Sequence, residues 1–195
     1  MGLEQALSGV LLDVASHSEP QADERVAAAV LVPLYVTRDG ELRVVLTRRR
    51  ADLRRHAGEI SFPGGRHDPE DATLGDTALR EAEEEIGLAR AEVRVVGALE
   101  RTSTFVTNYM IHPFVGLLGV RPEWRASELE VDAVLEPTLR EVRAGRTRTR
   151  VERRGIAFET DAYVFDDQLA WGATARILEN LLERLEPLLD RRANA

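Results

Sequence analysis

The chain has 195 residues, a length suited to one domain with a substantial core, and its 44% hydrophobic and 31% charged residues exclude collagen, coiled coil and wholesale disorder. A net charge of −8 argues against a general nucleic-acid or membrane-surface binder, which would carry a basic excess. The absence of cysteine removes disulfides, thiolate metal sites and a cysteine nucleophile, and it fits a cytoplasmic protein.

In chain order, Leu3, Leu7, Val10, Leu11 and Val14 recur at helical spacing, predicting a leading helix over residues 3–15 and then a polar, proline-containing linker, so that residues 1–24 precede the main body. No basic segment followed by a long apolar run opens the chain, and no stretch approaches the ~18 apolar residues that a membrane helix needs. Residues 26–37 form a long apolar strand, and Asp39-Gly40 turns the chain into a second strand over 42–46. The polar, arginine-rich residues 47–60 read as an extended loop, followed by a short strand over 59–62 that Pro63 ends.

A helix over 73–86 is expected next, with Ala78, Leu79, Ala82 and Ile86 as its buried stripe and Gly87 as its stop. Strands over 93–99 and 110–118 flank a Ser/Thr/Asn-rich loop at 102–108; a short strand over 131–135 precedes a brief helix that Pro137 opens and Gly145 closes. Residues 148–152 and 156–164 pair around Arg153-Arg154-Gly155 as a second hairpin. A last helix over 171–185 ends at Pro187, with Ile177, Leu178, Leu181, Leu182 and Leu185 as its apolar face. Strands with interspersed helices and no internal repeat predict an α+β or α/β sandwich in a single domain over residues 1–195.

Chemistry concentrates in the helix over 73–86. Glu81, Glu84 and Glu85 stand at i, i+3 and i+4, which sets three carboxylates on one face, where unpaired like charges repel. Hard divalent cations such as Mg²⁺ bind through a few carboxylates together with substrate phosphates, so a phosphate-bound metal resolves that repulsion. The bland alternative is a solvated acidic helix face.

The preceding glycine turn decides between them. Gly64-Gly65 leads to Arg80-Glu81-Ala82, Glu84-Glu85 and Gly87-Leu88, a pattern that resembles the signature of the Nudix hydrolases. In one respect it departs: fourteen residues separate Gly65 from Arg80, one more than the family pattern has. The slot for the family's first glutamate therefore falls on Ala72, and Asp71 is the nearest carboxylate.

Upstream, Leu46-Thr47, Arg49, Arg54, Gly58 and Phe62-Pro63-Gly64-Gly65 resemble the extra motif of the coenzyme A diphosphatase branch of that family, with Arg50 standing where Ser or Ala is usual. The longer box loop is also a feature of that branch, and residues 110–116 and 171–175 look like further segments of it. The resemblance implies a mixed β-sheet between helices, an α/β/α sandwich of the Nudix type. It also implies hydrolysis of coenzyme A or a derivative to 4′-phosphopantetheine and adenosine 3′,5′-bisphosphate. Another nucleoside diphosphate derivative, such as ADP-ribose or NADH, is the alternative substrate, and a nucleotide-sensing module that does not hydrolyse is the rival class.

By the same resemblance Glu81, Glu84 and Glu85 hold Mg²⁺ or Mn²⁺, and Arg80 orients those glutamates. Glu81 is the first choice of general base, ahead of Glu128 and Glu130. Gly64, Gly65, Arg49, Arg54 and Arg66 face the substrate, since guanidinium forks bind phosphate bidentately. The arginines at 140–154, the histidines His56, His67 and His112, and the aromatics Phe105 and Trp171 read as surface or packing groups. The expected partner is a small-molecule substrate, without nucleic acid or membrane, and monomer and homodimer both stay open.

Overall fold

The computed structural model describes residues 2–20, 25–52, 58–104, 108–153 and 155–193. Its organising element is β1 (Val26–Val36), whose alternating side chains are buried on both faces. Ala29, Leu31 and Tyr35 enter one core and Val32 and Leu34 the other, as expected of a strand in the middle of a sandwich.

β1 pairs antiparallel with β2 (Leu42–Val44) and parallel with β8 (Tyr109–Leu118), from Val26↔Tyr109 to Leu34↔Leu117; β8 in turn takes β6 (Val93–Ala98) antiparallel. This mixed sheet is covered on one face by α2 (Leu74–Ile86), through Leu74, Ala78, Leu79, Ala82 and Ile86. The other face receives α4 (Ala173–Ala193), through Ile177, Leu178, Leu181 and Leu185, and α3 (Leu139–Ala144). Helices on both sides of a mixed sheet are the predicted α/β/α arrangement. Two three-stranded sheets complete it: β3 (Leu46–Arg49) between β4 (Ile60–Ser61) and β9 (Val131–Leu135), and β10 (Arg146–Arg153), β11 (Ile156–Phe165) and β12 (Gln168–Trp171) in sequence.

Several sequence expectations are corrected. The leading helix α1 covers only Leu3–Ser8. Past Gly9 the backbone of Leu12 exchanges two hydrogen bonds with Ala98 at 3.0 and 2.9 Å, so the open edge of β6 captures a segment whose apolar spacing reads as helical. Thr47 and Arg49 belong to β3 rather than to a loop, because β4 and β9 satisfy their backbone from both sides. Thr138, not Pro137, opens α3, and it does so through a reciprocal capping box with Glu141.

Trp171 closes β12, a strand absent from the sequence expectation, and Gly172 at φ 67° turns the chain into α4. Pro187 does not end α4, which runs on to Ala193. Leu185 is fully buried and Leu188 and Leu189 pack on the same core, which outweighs the one hydrogen bond that proline removes. No helix among the described residues is long and apolar enough to cross a membrane.

Candidate active site

α2 is fixed at both ends before it presents any chemistry. Thr73 caps its start by accepting the Asp76 backbone N–H at 3.1 Å, and Gly87 ends it in the left-handed conformation at φ 69°. Ahead of it the glycine turn forms β5 (Gly64–Arg66), antiparallel to β1 with Val30↔Gly64 and Ala29↔Gly65 in register. A Cβ on Gly65 would lie 2.5 Å from the Glu81 carboxylate, and one on Gly64 2.6 Å from Val30 Cα. Glycine is therefore what lets the strand and the Glu81 carboxyl touch.

The three glutamates occupy three different environments. Glu84 is well exposed, Glu81 is partly buried, and Glu85 is only 4% exposed. Burial pushes the Glu81 carboxyl above its usual range against the pull of Arg80. It drives Glu85 further, up to about 8: desolvation dominates, the Arg49 guanidinium at 3.6 Å opposes it, and the charges of Glu81 and Glu130 add to it. Glu85 Oε2 is buried with no hydrogen-bond partner.

Arg80 ties this face together. Its Nη1 donates to Glu81 Oε1 at 2.9 Å and to Glu84 Oε2 at 3.2 Å, while Nε and Nη2 each reach the Asp71 carboxylate at 3.0 Å. Thr77 Oγ1 donates to the same carboxylate at 2.8 Å. Hydrogen bonds from Arg80 and Thr77 hold Asp71 well below the usual carboxylate range, at about 2. The extra loop residue that moved the family's glutamate slot onto Ala72 is thus absorbed, since Asp71 grips the box arginine. Part of the positive charge that the sequence called for comes from inside the helix itself.

A strap supplies one more carboxylate. Arg125 and Ser127 donate their backbone N–H groups to the Ile86 and Glu85 carbonyls at 3.0 and 2.8 Å, extending the end of α2 into a turn closed by Glu130 N–H on the Ser127 carbonyl. Glu130 then accepts from Arg49 Nη2 at 3.3 Å, while Arg49 Nη1 faces Glu85. Arg49 accordingly sits between two carboxylates rather than pointing freely at solvent. Glu128 is exposed, and its backbone carbonyl, not its carboxylate, meets Arg50.

A cavity of about 810 Å³ opens beside this face. Arg49, Gly64, Gly65 and Arg66 line one side of it; Tyr109, Phe158, Trp171 and Arg176 line another. Arg54, His56 and Phe105 lie outside the described residues. His67 shares a 2.9 Å hydrogen bond with the Thr77 hydroxyl and His112 is buried with Nδ1 3.1 Å from the His17 carbonyl, so both are packing groups, as expected. Sequence reasoning missed Phe158 and Arg176, which no motif marks; their one advance signal was the resemblance of residues 171–175, which ends one residue short of Arg176.

The fold places the chain in a class first. The structure of a MutT/nudix family protein from Enterococcus faecalis superposes with a TM-score of 0.58 at 16% identity, covering 96% of this chain and 70% of that one. A Nudix hydrolase from M. smegmatis, RenU, superposes with a TM-score of 0.53 at 19% identity, covering 62% and 74%. These share the α/β/α sandwich. In sequence, residues 25–150 match the NUDIX domain model. Proteins named "Uncharacterized Nudix hydrolase NudL" from Salmonella paratyphi B and Salmonella newport are each 40% identical over 156 residues, 79% of this chain and 80% of the relative. The chain belongs to the Nudix hydrolase family, whose members act on phosphoric anhydride bonds of small nucleotide substrates and generally use divalent metal ions.

Among the described residues no three acidic or histidine side chains close into a ready-made metal cage. The donor set nevertheless fits a hard cation. Mg²⁺ commonly takes only one or two protein carboxylates and completes its shell with water and substrate phosphate. Glu85 Oε2, buried without a partner on a carboxylate whose charge burial disfavours, is an oxygen that such a cation would satisfy.

Proposed function

We propose that this chain hydrolyses the diphosphate bond of coenzyme A or a derivative, releasing 4′-phosphopantetheine and adenosine 3′,5′-bisphosphate. The observation that carries the reading is that Arg49 and Gly64-Gly65, within the motif of residues 46–65, line one cavity and themselves meet the carboxylate helix: Arg49 faces Glu85 at 3.6 Å, and the Glu81 carboxyl stands against Gly65. A substrate held by the motif would lie next to residues that touch the α2 carboxylates.

In this reading Glu81, Glu84 and Glu85 hold Mg²⁺ or Mn²⁺, and Arg80 positions Glu81 and Glu84 for it. A divalent cation, once bound, neutralises charge on the phosphate oxygens and lowers the pKa of water. Glu81, held above the usual carboxylate range by burial, takes a proton from the attacking water. Arg66, with Arg54 of the motif, binds phosphate oxygens as a bidentate fork. Arg49 counters Glu85 and Glu130 until the substrate arrives.

The test is turnover of a panel comprising coenzyme A, ADP-ribose, NADH, nucleotide sugars and nucleoside triphosphates in Mg²⁺ or Mn²⁺, with products separated by mass. Coenzyme A is expected to give the highest kcat/KM. Much faster cleavage of ADP-ribose or a triphosphate would overturn the substrate assignment; tight nucleotide binding without turnover would overturn the catalytic one.

A further inference from the structure

Part of the cavity lining belongs to neither motif. Phe158 on β11 and Trp171 at the end of β12 meet edge to face with ring centroids 6.2 Å apart. They share a face because Trp171 is paired with Ala162, four residues along the same strand from Phe158. Phe158 is nevertheless 40% exposed, an aromatic ring left half in water within a concavity.

Arg176, in the first turn of α4, lines the same cavity as these rings. Its side chain is part-buried, and Nη2 donates to the Ser103 carbonyl, which fixes the guanidinium against β7 (Thr102–Ser103). Burial disfavours its charge. Two of the acidic residues lining the cavity are paired from the next strand: Arg146 of β10 with Glu179, and Arg148 with Glu159 at 3.5 Å. Arginines of the 140–154 cluster thus offset part of the negative charge along this lining.

We propose that this wall is a second-anion subsite, in which Phe158 and Trp171 take the flat arm of a nucleotide and Arg176 reads a phosphomonoester on that arm, separate from the diphosphate facing α2. An aromatic surface beside a fixed guanidinium suits this chemistry, since the ring face receives the base and the planar fork receives two phosphate oxygens. The inference rests on the proposed cleavage of a coenzyme A-type diphosphate, and it makes Arg176 a specificity-determining residue for that substrate.

The test measures binding without a divalent cation, so that hydrolysis is not required. By calorimetry the unmodified protein is expected to bind adenosine 3′,5′-bisphosphate at least ~10-fold more tightly than adenosine 5′-monophosphate, the effect of one charge-assisted contact. Arg176→Gln, which keeps a donor for the Ser103 carbonyl, should abolish that preference. Arg176→Lys, which keeps the charge but not the fork, should reduce it several-fold, and it serves as the test if the glutamine variant does not fold. With Mg²⁺ present, the ratio of kcat/KM for coenzyme A over 3′-dephospho-coenzyme A should fall by the same ~10-fold in Arg176→Gln. Equal binding of the two nucleotides by the unmodified protein, or an undiminished preference in either variant, overturns the subsite. If the bisphosphate preference and its loss are observed while coenzyme A is not cleaved, the substrate assignment falls and the subsite stands.

Discussion

Two charged surfaces of the molecule treat charge in opposite ways. On α2, one guanidinium serves three carboxylates at once; Asp71 is 9% exposed, and Glu85 has a buried oxygen with no partner. On the β10–β11 hairpin the ion pairs run one to one in water; Arg148 and Glu159 are each 69% exposed. Charge density alone does not distinguish these two surfaces. What separates them is how many of the charges are desolvated and how many share one partner, because only then does removing a group leave an unbalanced neighbour behind.

The largest expected effect follows from the proposed cation on the α2 face. Glu84→Gln should lower turnover by ~10²–10⁴-fold, typical of losing one group that supports the chemistry, while the fold stays intact because the side chain is 60% exposed. Near-normal activity in that variant would make the α2 carboxylates as inert as the hairpin's.

Stability should show the contrast next, through pH. Asp71 is held at about 2 against an ordinary 3.8, so its contribution is fully present above about pH 4 and is lost as pH falls toward 2. Glu85 is raised to about 8, so its contribution is present below about pH 4.5 and is lost as pH rises through 8 in cation-free buffer. Urea unfolding with a chelator present should therefore show Asp71→Asn losing ~2 kcal/mol at neutral pH and flattening the acid limb, and Glu85→Gln flattening the alkaline limb. An unchanged acid limb in Asp71→Asn would contradict the hydrogen-bond argument for Asp71, and an unchanged alkaline limb in Glu85→Gln the desolvation argument for Glu85. The smallest effect belongs to the hairpin: Arg148→Ala should shift Tm by no more than ~1–2 °C, as screened surface pairs do.

The same contrast explains what was legible in the sequence. α2 announces itself, because its stripe of Ala78, Leu79, Ala82 and Ile86, its Thr73 start and its Gly87 stop are all local, and so are the three glutamates one turn apart. The central strands are legible for the same reason. Asp71 meeting Arg80 across nine positions, Glu130 brought back by a strap, and Arg176 delivered by a helix from the far end of the chain depend on tertiary contacts that no period encodes. The shortened α1 and the unbroken passage of α4 through Pro187 have that cause as well: a sheet edge captured one segment, and a buried leucine face carried the other.

The left-handed end of α2 has a reach beyond its own turn. A Cβ at Gly87 would stand 2.7 Å from Arg125 Cβ, on the strap that returns through Ser127 to Glu130. A side chain there would have to displace Arg125 and strain the strap that begins there, while the Arg50 N–H on the Glu130 carbonyl at 3.0 Å holds the strap's other end beside Arg49. A residue bearing no functional group thus leaves room for the strap that carries Ser127 and Glu130 to close over the end of α2.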